Sequence, residues 1–200
     1  MISRVKLLVA SFFISMSGLV FCQWETNLLP NDFEMYLRNN AGIKVISLSK
    51  PEEFAKSHVE SALQIWRGDY EDKSLEFGGM MAPRDSVAAL LGSCGVTSKD
   101  TIFLYDHKGG WDAARFWWIL NIYGHKNAHF LNGSYKDLST VNDDPSVIEP
   151  TEYSFPNSID PTLYADLEYV LKATKRGARL LDVRTIEEFE GLIIKDGAFK

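Results

Sequence analysis

Cysteine is nearly absent: the 200 residues hold two, Cys22 and Cys94, with no CxxC pair, zinc-ligand spacing or Cys-x5-Arg loop. This excludes a zinc module or thiol phosphatase, and leaves Cys94 without an intrachain partner if Cys22 is removed with the N-terminal segment. Positive charge is also in deficit, 21 Lys and Arg against 27 Asp and Glu, for a net charge of −6. A nucleic-acid or anionic-membrane partner would have to bind against that field. Long apolar runs are missing except at residues 7–21, and no segment has repeat or low-complexity composition. What is present is 46% hydrophobic and 12% aromatic side chain, enough for a packed core.

The apolar run has a leader's form. Arg4 and Lys6 precede it, the first acid is Glu25, and it is short for a membrane span. Val20 and Cys22 fit the −3 and −1 positions of a cleavage site that would leave Gln23 first, so residues 1–22 read as an export signal to the periplasm or exterior. An uncleaved anchor and a lipid on Cys22 are the alternatives, the second opposed by Phe21 where a small residue is wanted.

From about residue 31 to 139 strand and helix signals alternate, which predicts a parallel sheet with helices on its faces. Strands are expected at 44–48, 62–65, 101–105 and 128–131. Helices are expected from Pro51, over 83–94 with Gly95 as cap, over 111–123 ended by Gly124, and briefly near 135–138. The 111–123 helix is apolar nearly all round, so it should be packed on more than one side, with Trp117 and Trp118 in the core. Residues 139–159 carry Pro145, Pro150 and Pro156 among Ser, Thr, Asn and Asp, which is linker chemistry. Beyond them Asp160 and Pro161 open a predicted helix with a buried stripe of Leu163, Leu167, Val170 and Leu171, followed by a strand at 178–183 and a helix start at Thr185.

Leu181-Asp182-Val183-Arg184 with Glu188-Phe189 resembles the opening motif of rhodanese domains, Asp-x-Arg-x-x-x-Glu-Phe/Tyr. An eroded copy runs earlier: Val45-Ile46-Ser47-Leu48-Ser49, Glu53-Phe54 and Ser57-His58-Val59-Glu60-Ser61-Ala62, then Met81-Ala82-Pro83, Tyr105-Asp106, Ala114-Arg115-Phe116-Trp117-Trp118, Gly124-His125 and Leu131-Asn132-Gly133. The series resembles the N-terminal half of tandem-domain thiosulfate or 3-mercaptopyruvate sulfurtransferases. That resemblance implies an α/β, rhodanese-like three-layer domain with a central mostly parallel sheet and helices on both faces. With the signal read at 1–22 and the linker at 141–159, it implies an inactive unit at 23–140 and an incomplete second unit at 160–200.

The family's chemistry passes a sulfane sulfur from a small anionic donor through a cysteine persulfide to a thiophilic acceptor, with no metal or cofactor. Here Asp106 holds the cysteine position of the first unit, and a carboxylate cannot carry persulfide, so no catalytic residue is expected within 1–200 and the cysteine would lie beyond Lys200. Arg184 and His58 are the substrate-binding or interdomain candidates, each weighed against a structural role. Glu188 stands where some thiosulfate-using members carry a second arginine. Cys94 reads as a small buried hydrophobe, and His125 with His129 as a poor metal pair. Two other readings stay open: a noncatalytic binding or regulatory module, and an anion-binding domain using a backbone nest at 106–111.

Overall fold

The computed structural model describes residues 26–40, 42–138, 141–142 and 147–193; the expected signal with Cys22, the residues 139–140 and 143–146, and the tail 194–200 lie outside it. Five strands form a parallel sheet: β1 (Asn27–Leu28), β2 (Ile43–Leu48), β4 (Leu63–Ile65), β5 (Thr101–Asp106) and β6 (Ala128–Leu131). Their spatial order is β1-β6-β5-β2-β4. A short antiparallel pair joins β3 (His58–Val59) to β7 (Val141–Asn142). The helices are α1 (Pro30–Asn39), α2 (Pro51–Phe54), α3 (Arg84–Ser93), α4 (Trp111–Tyr123), α5 (Leu167–Lys175) and α6 (Ile186–Phe189).

Side-chain alternation along the strands divides the core into two faces. Ile46 and Leu48 of β2 and Ile102 and Leu104 of β5 meet α3 and α4 residues such as Val87, Leu91, Phe116 and Ile119. Val45, Phe103 and Tyr105 point the other way, onto Phe33 of α1, Leu131 and Tyr135. This is the expected three-layer α/β arrangement, with every pairing in the main sheet parallel. α4 is buried over most of its circumference, as its composition predicts. Trp117 and Trp118 pack partly buried against the same cluster. Their indole N–H groups donate to the carbonyls of Ala128 (2.9 Å) and Leu163 (2.8 Å). β1 and the β3–β7 pair are too short for a sequence pattern to reveal.

Although residues 147–159, the described stretch of the expected linker, have no regular structure, much of the segment, with Asp160, is laid down as a strap across the ends of α3 and α4. Thr151 N–H donates to Gly92 O (2.8 Å) and Asp160 N–H to Ile122 O (2.8 Å). Phe155 is buried against Tyr123. The strap lies so close that a Cβ on Gly92 would stand 2.6 Å from Thr151 O, and one on Gly124 2.5 Å from Asn157 O. Arg84 ties it further, donating from Nη2 to Asn157 O at 2.8 Å.

Beyond Asp160 the predicted elements are corrected in three ways. The expected single helix is a 3-10 turn at Pro161–Leu163 and a separate α5. Two caps compete here: the Asp160 carboxylate accepts from Thr162 N–H (3.1 Å), and Asp166 starts a new helix by accepting from Tyr169 N–H (2.7 Å). The expected buried stripe is exposed at Leu163, Leu167 and Leu171. Residues 178–183 form no strand, because none of the described strands pairs with them, and Leu181 and Val183 are each 88% exposed. β-branched and apolar composition favours a strand only where a ladder partner supplies the hydrogen bonds.

Candidate functional site

In sequence order the chain adds β4 on one side of β2, then crosses to place β5 on the other. The sheet therefore reverses its winding between β2 and β5, and the crevice outside the carboxyl ends of such strands is where open α/β sheets place ligands. Two segments meet there: Ser49-Lys50 after β2, and the turn from Asp106 into α4.

Asp106 is the last residue of β5, buried at 2% exposure. Its carboxylate is the anion in a ring of backbone donors. Oδ1 accepts from the N–H groups of Lys108 and Gly110, both at 2.8 Å, and Oδ2 from those of Asp112 (2.8 Å) and Ala113 (3.2 Å). Two glycines make the turn possible, Gly109 at φ 92° and Gly110 at φ 100°, values that side chains with a Cβ rarely adopt. The nest expected at 106–111 is thus built, and it is filled by the protein's own carboxylate. The reading of a vacant anion site is corrected on that ground.

Around this turn several side chains pack on aromatic rings, while Trp111 at the start of α4 is 78% exposed. The His107 ring stacks on Tyr135 at 4.1 Å, and burial pulls its pKa below the ordinary imidazole value. Lys50 and Lys108 both stand over the Trp66 ring, at 5.8 and 5.2 Å. Beneath, Ser47 and Ser49 hydroxyls lie 2.7 Å apart, Gln64 Nε2 donates to Ser49 O (2.7 Å), and Tyr105 Oη accepts from Val59 N–H (2.9 Å). Asp112, in the first turn of α4, is held above the usual carboxylate range by burial, with the Lys108 and Arg67 charges opposing.

His58 lies in β3, 1% exposed. Its Nδ1–H donates to Phe54 O (2.9 Å) and its ring stacks on Phe54 at 3.9 Å, the arrangement of a structural histidine. Arg184 sits in the C-terminal segment, and its hydrogen bonds stay within the motif that predicted it. Nε donates to Asp182 Oδ1 (3.0 Å), Nη2 to Oδ2 (2.7 Å) and Nη1 to Glu188 O (3.3 Å). Hydrogen bonds from Arg184 lower the Asp182 pKa. A capping box between Thr185 and Glu188 completes the turn. The geometry therefore brings Asp106, His107, Lys108 and Asp112 together, keeps His58 as a buried brace, and leaves Arg184 half-exposed in an ion pair.

Cys94 caps α3 beside Gly95, and burial raises its thiol pKa, so it behaves as the expected small hydrophobe. His125 bonds Tyr153 Oη through Nδ1 (2.9 Å) rather than acting with His129, and no group of residues suited to a metal ion occurs among the described residues. Sequence reasoning overlooked Tyr70, Arg67 and Arg115 as a group, since Tyr70 lies in an irregular segment without periodicity.

A parallel sheet reversing at β2/β5, with a glycine turn from β5 into a buried helix, defines a doubly wound α/β unit with its candidate site at the reversal. The chain belongs to the rhodanese-like domain family, which matches residues 31–140. Among curated relatives, a putative thiosulfate sulfurtransferase of Haloferax volcanii is 31% identical over 149 residues, covering 72% of this chain and 50% of that protein. The thiosulfate sulfurtransferase of Gallus gallus is 27% identical over 175 residues, covering 80% and 60%. In fold the chain is similar to the Escherichia coli 3-mercaptopyruvate sulfotransferase SseA, with a TM-score of 0.71, 19% identity, and coverage of 86% of this chain and 71% of that one. The chain spans about half the length of the curated relatives it matches.

Proposed function

We propose that the described unit is the noncatalytic first half of an exported, two-unit sulfurtransferase. In this reading a cysteine of the second unit, beyond Lys200, takes a sulfane sulfur from thiosulfate or 3-mercaptopyruvate and passes it as a persulfide to a thiophilic acceptor. The observation that carries it is Asp106. At the strand-to-helix turn where a thiolate would be stabilised by converging N–H groups, those groups are already spent on a carboxylate. An anionic donor approaching that turn meets a negative charge and no nucleophile.

The names of the relatives support the reaction class, and the exposed apolar side chains of Leu180, Leu181, Val183, Ile186 and Phe189 support a second unit that covers them. Arg184, held in place by Asp182, is the residue of this segment suited to steer an anionic donor. His58 braces the first unit near the junction.

The test is thiocyanate formation from thiosulfate or 3-mercaptopyruvate and cyanide, with the native protein from its source beside the 200-residue chain. Turnover by a longer native protein and none by the chain supports the reading. Turnover by the chain, or a native protein that has no further cysteine and no activity, defeats it.

A further inference from the structure

β6 ends at Leu131, and the chain leaves it through the turn pair Asn132-Gly133. Asn132 is still tied to the sheet by its backbone, whose N–H donates to Leu28 O of β1 at 2.7 Å. Its side chain is exposed. Among the described residues no hydrogen bond holds that side-chain amide or the N–H of Gly133. In an asparagine-glycine pair the second backbone nitrogen reaches the side-chain carbon with the least obstruction, because glycine has no Cβ to crowd the ring that forms.

The fold itself requires this glycine. Its φ is 152°, in the region that residues with a Cβ rarely adopt, and a Cβ there would stand 3.0 Å from Pro30 Cγ and 3.3 Å from Pro30 Cδ. The backbone shape that ends β6 thus excludes any bulkier neighbour that would shield Asn132. Every other described asparagine precedes a residue with a Cβ. Asn40, Asn121, Asn127 and Asn157 also spend their side-chain N–H groups, on Tyr36 O (3.0 Å), Trp117 O (3.0 Å), Thr101 Oγ1 (2.6 Å) and Gly124 O (2.7 Å).

We propose that Asn132 is a site of spontaneous covalent modification, converting to aspartate and iso-aspartate in the folded chain. The Gly133 nitrogen loses its proton and attacks Asn132 Cγ. A C–N bond forms there, the bond from Cγ to the side-chain nitrogen breaks, and that nitrogen leaves as ammonia with the proton. Water then opens the cyclic imide. Cleavage of the new bond at Cγ gives aspartate, and cleavage of the original peptide bond gives iso-aspartate, whose main chain runs through Cβ and Cγ. Either product adds a negative charge near the Asp106 turn, since a Cβ on Gly110 would stand 3.5 Å from Leu131 O. Iso-aspartate also lengthens the link from β6 to Tyr135, whose ring stacks on His107 at 4.1 Å. The modification is independent of the sulfur-transfer reading, and its failure would leave that reading untouched.

Incubating the full chain and mapping its peptides by mass spectrometry, with isoaspartyl methyltransferase as the label for iso-aspartate, tests it. Conversion is expected first at Asn132, about tenfold faster at pH 8.5 than at about pH 7.5, because the attacking nitrogen must first lose its proton. A synthetic peptide covering residues 128–136 gives the rate without the fold, and the chain should convert within about tenfold of it. Asn132→Gln should abolish the conversion in this peptide of the map, because its longer side chain closes a larger ring more slowly. An Asn132 that stays intact in the chain while the synthetic peptide converts overturns the proposal, as does conversion of the hydrogen-bonded asparagines at the same rate.

Discussion

Replacing Asp106 by alanine removes the one anion from a ring of four backbone donors, and its consequence can be worked from the geometry. The carboxylate is 2% exposed and accepts bonds of 2.8, 2.8, 2.8 and 3.2 Å. A charged hydrogen bond contributes about 1.5–3 kcal/mol, and the desolvation of a buried charge offsets a large part of the total. In the alanine variant water enters from the side of the exposed Gly109 and recovers some of the donors. The net loss is about 3 kcal/mol, with Tm lowered by about 6–12 °C for a chain of this size. Thermal and urea unfolding read the loss directly. Formate, which is the missing carboxylate as a free ion, should restore about 2.7 kcal/mol at a hundred times its dissociation constant, and leave the wild-type chain unmoved. An Asp106→Ala variant within about 0.5 kcal/mol of wild type, or one that formate does not rescue, would refute the view that this turn is an anion cradle filled from within.

The same ring should act on sulfur: in Asp106→Cys the thiol should titrate below about 7, against about 8.5 for a free cysteine, read as the pH dependence of alkylation rate, and a value at or above 8.5 argues against the cradle. Gly124→Ala places a Cβ 2.5 Å from Asn157 O at φ 100°, so a loss of 2 kcal/mol or more is expected, about the range of other backbone clashes, together with proteolytic access to the strap. Ser61 is the non-glycine residue at φ 60° among the described residues, and Ser61→Gly should relieve left-handed strain for a net gain of about 0.5 kcal/mol after the added chain entropy, measured by urea unfolding. Burial lowers the pKa of His125 and of His107 below 6.5. The unfolded chain therefore binds more protons, and stability that is full above pH 6.5 falls as pH drops through that value toward the folded pKa; His125→Gln should flatten part of the slope.

Periodicity and caps made most of the first unit legible. The short apolar runs at 44–48 and 101–105 mark buried strands, and Gly95 and Gly124 end α3 and α4 where residues with a Cβ would not. These signals are local, so the chain carries them without its neighbours. The ordered motif series marked the family and placed Asp106 at the turn for the same reason: each motif is a short segment whose residue types serve a local backbone shape.

What the tertiary structure decided depends on partners far away in sequence. Residues 141–159 read as a linker, yet backbone groups of α3 and α4 that no local pattern announces recruit Thr151 and the following Asp160 and bury Phe155. Residues 178–183 have strand composition and form none, since a ladder needs a second strand that none of the described residues supplies. Asp106 by itself showed only that a nucleophile was missing; its capture by four N–H groups exists because the end of β5 and the start of α4 meet in space. Local shape was written in the residues themselves, while the facing of the strands, hydrogen-bond partners and burial were set by packing between segments that the sequence keeps apart.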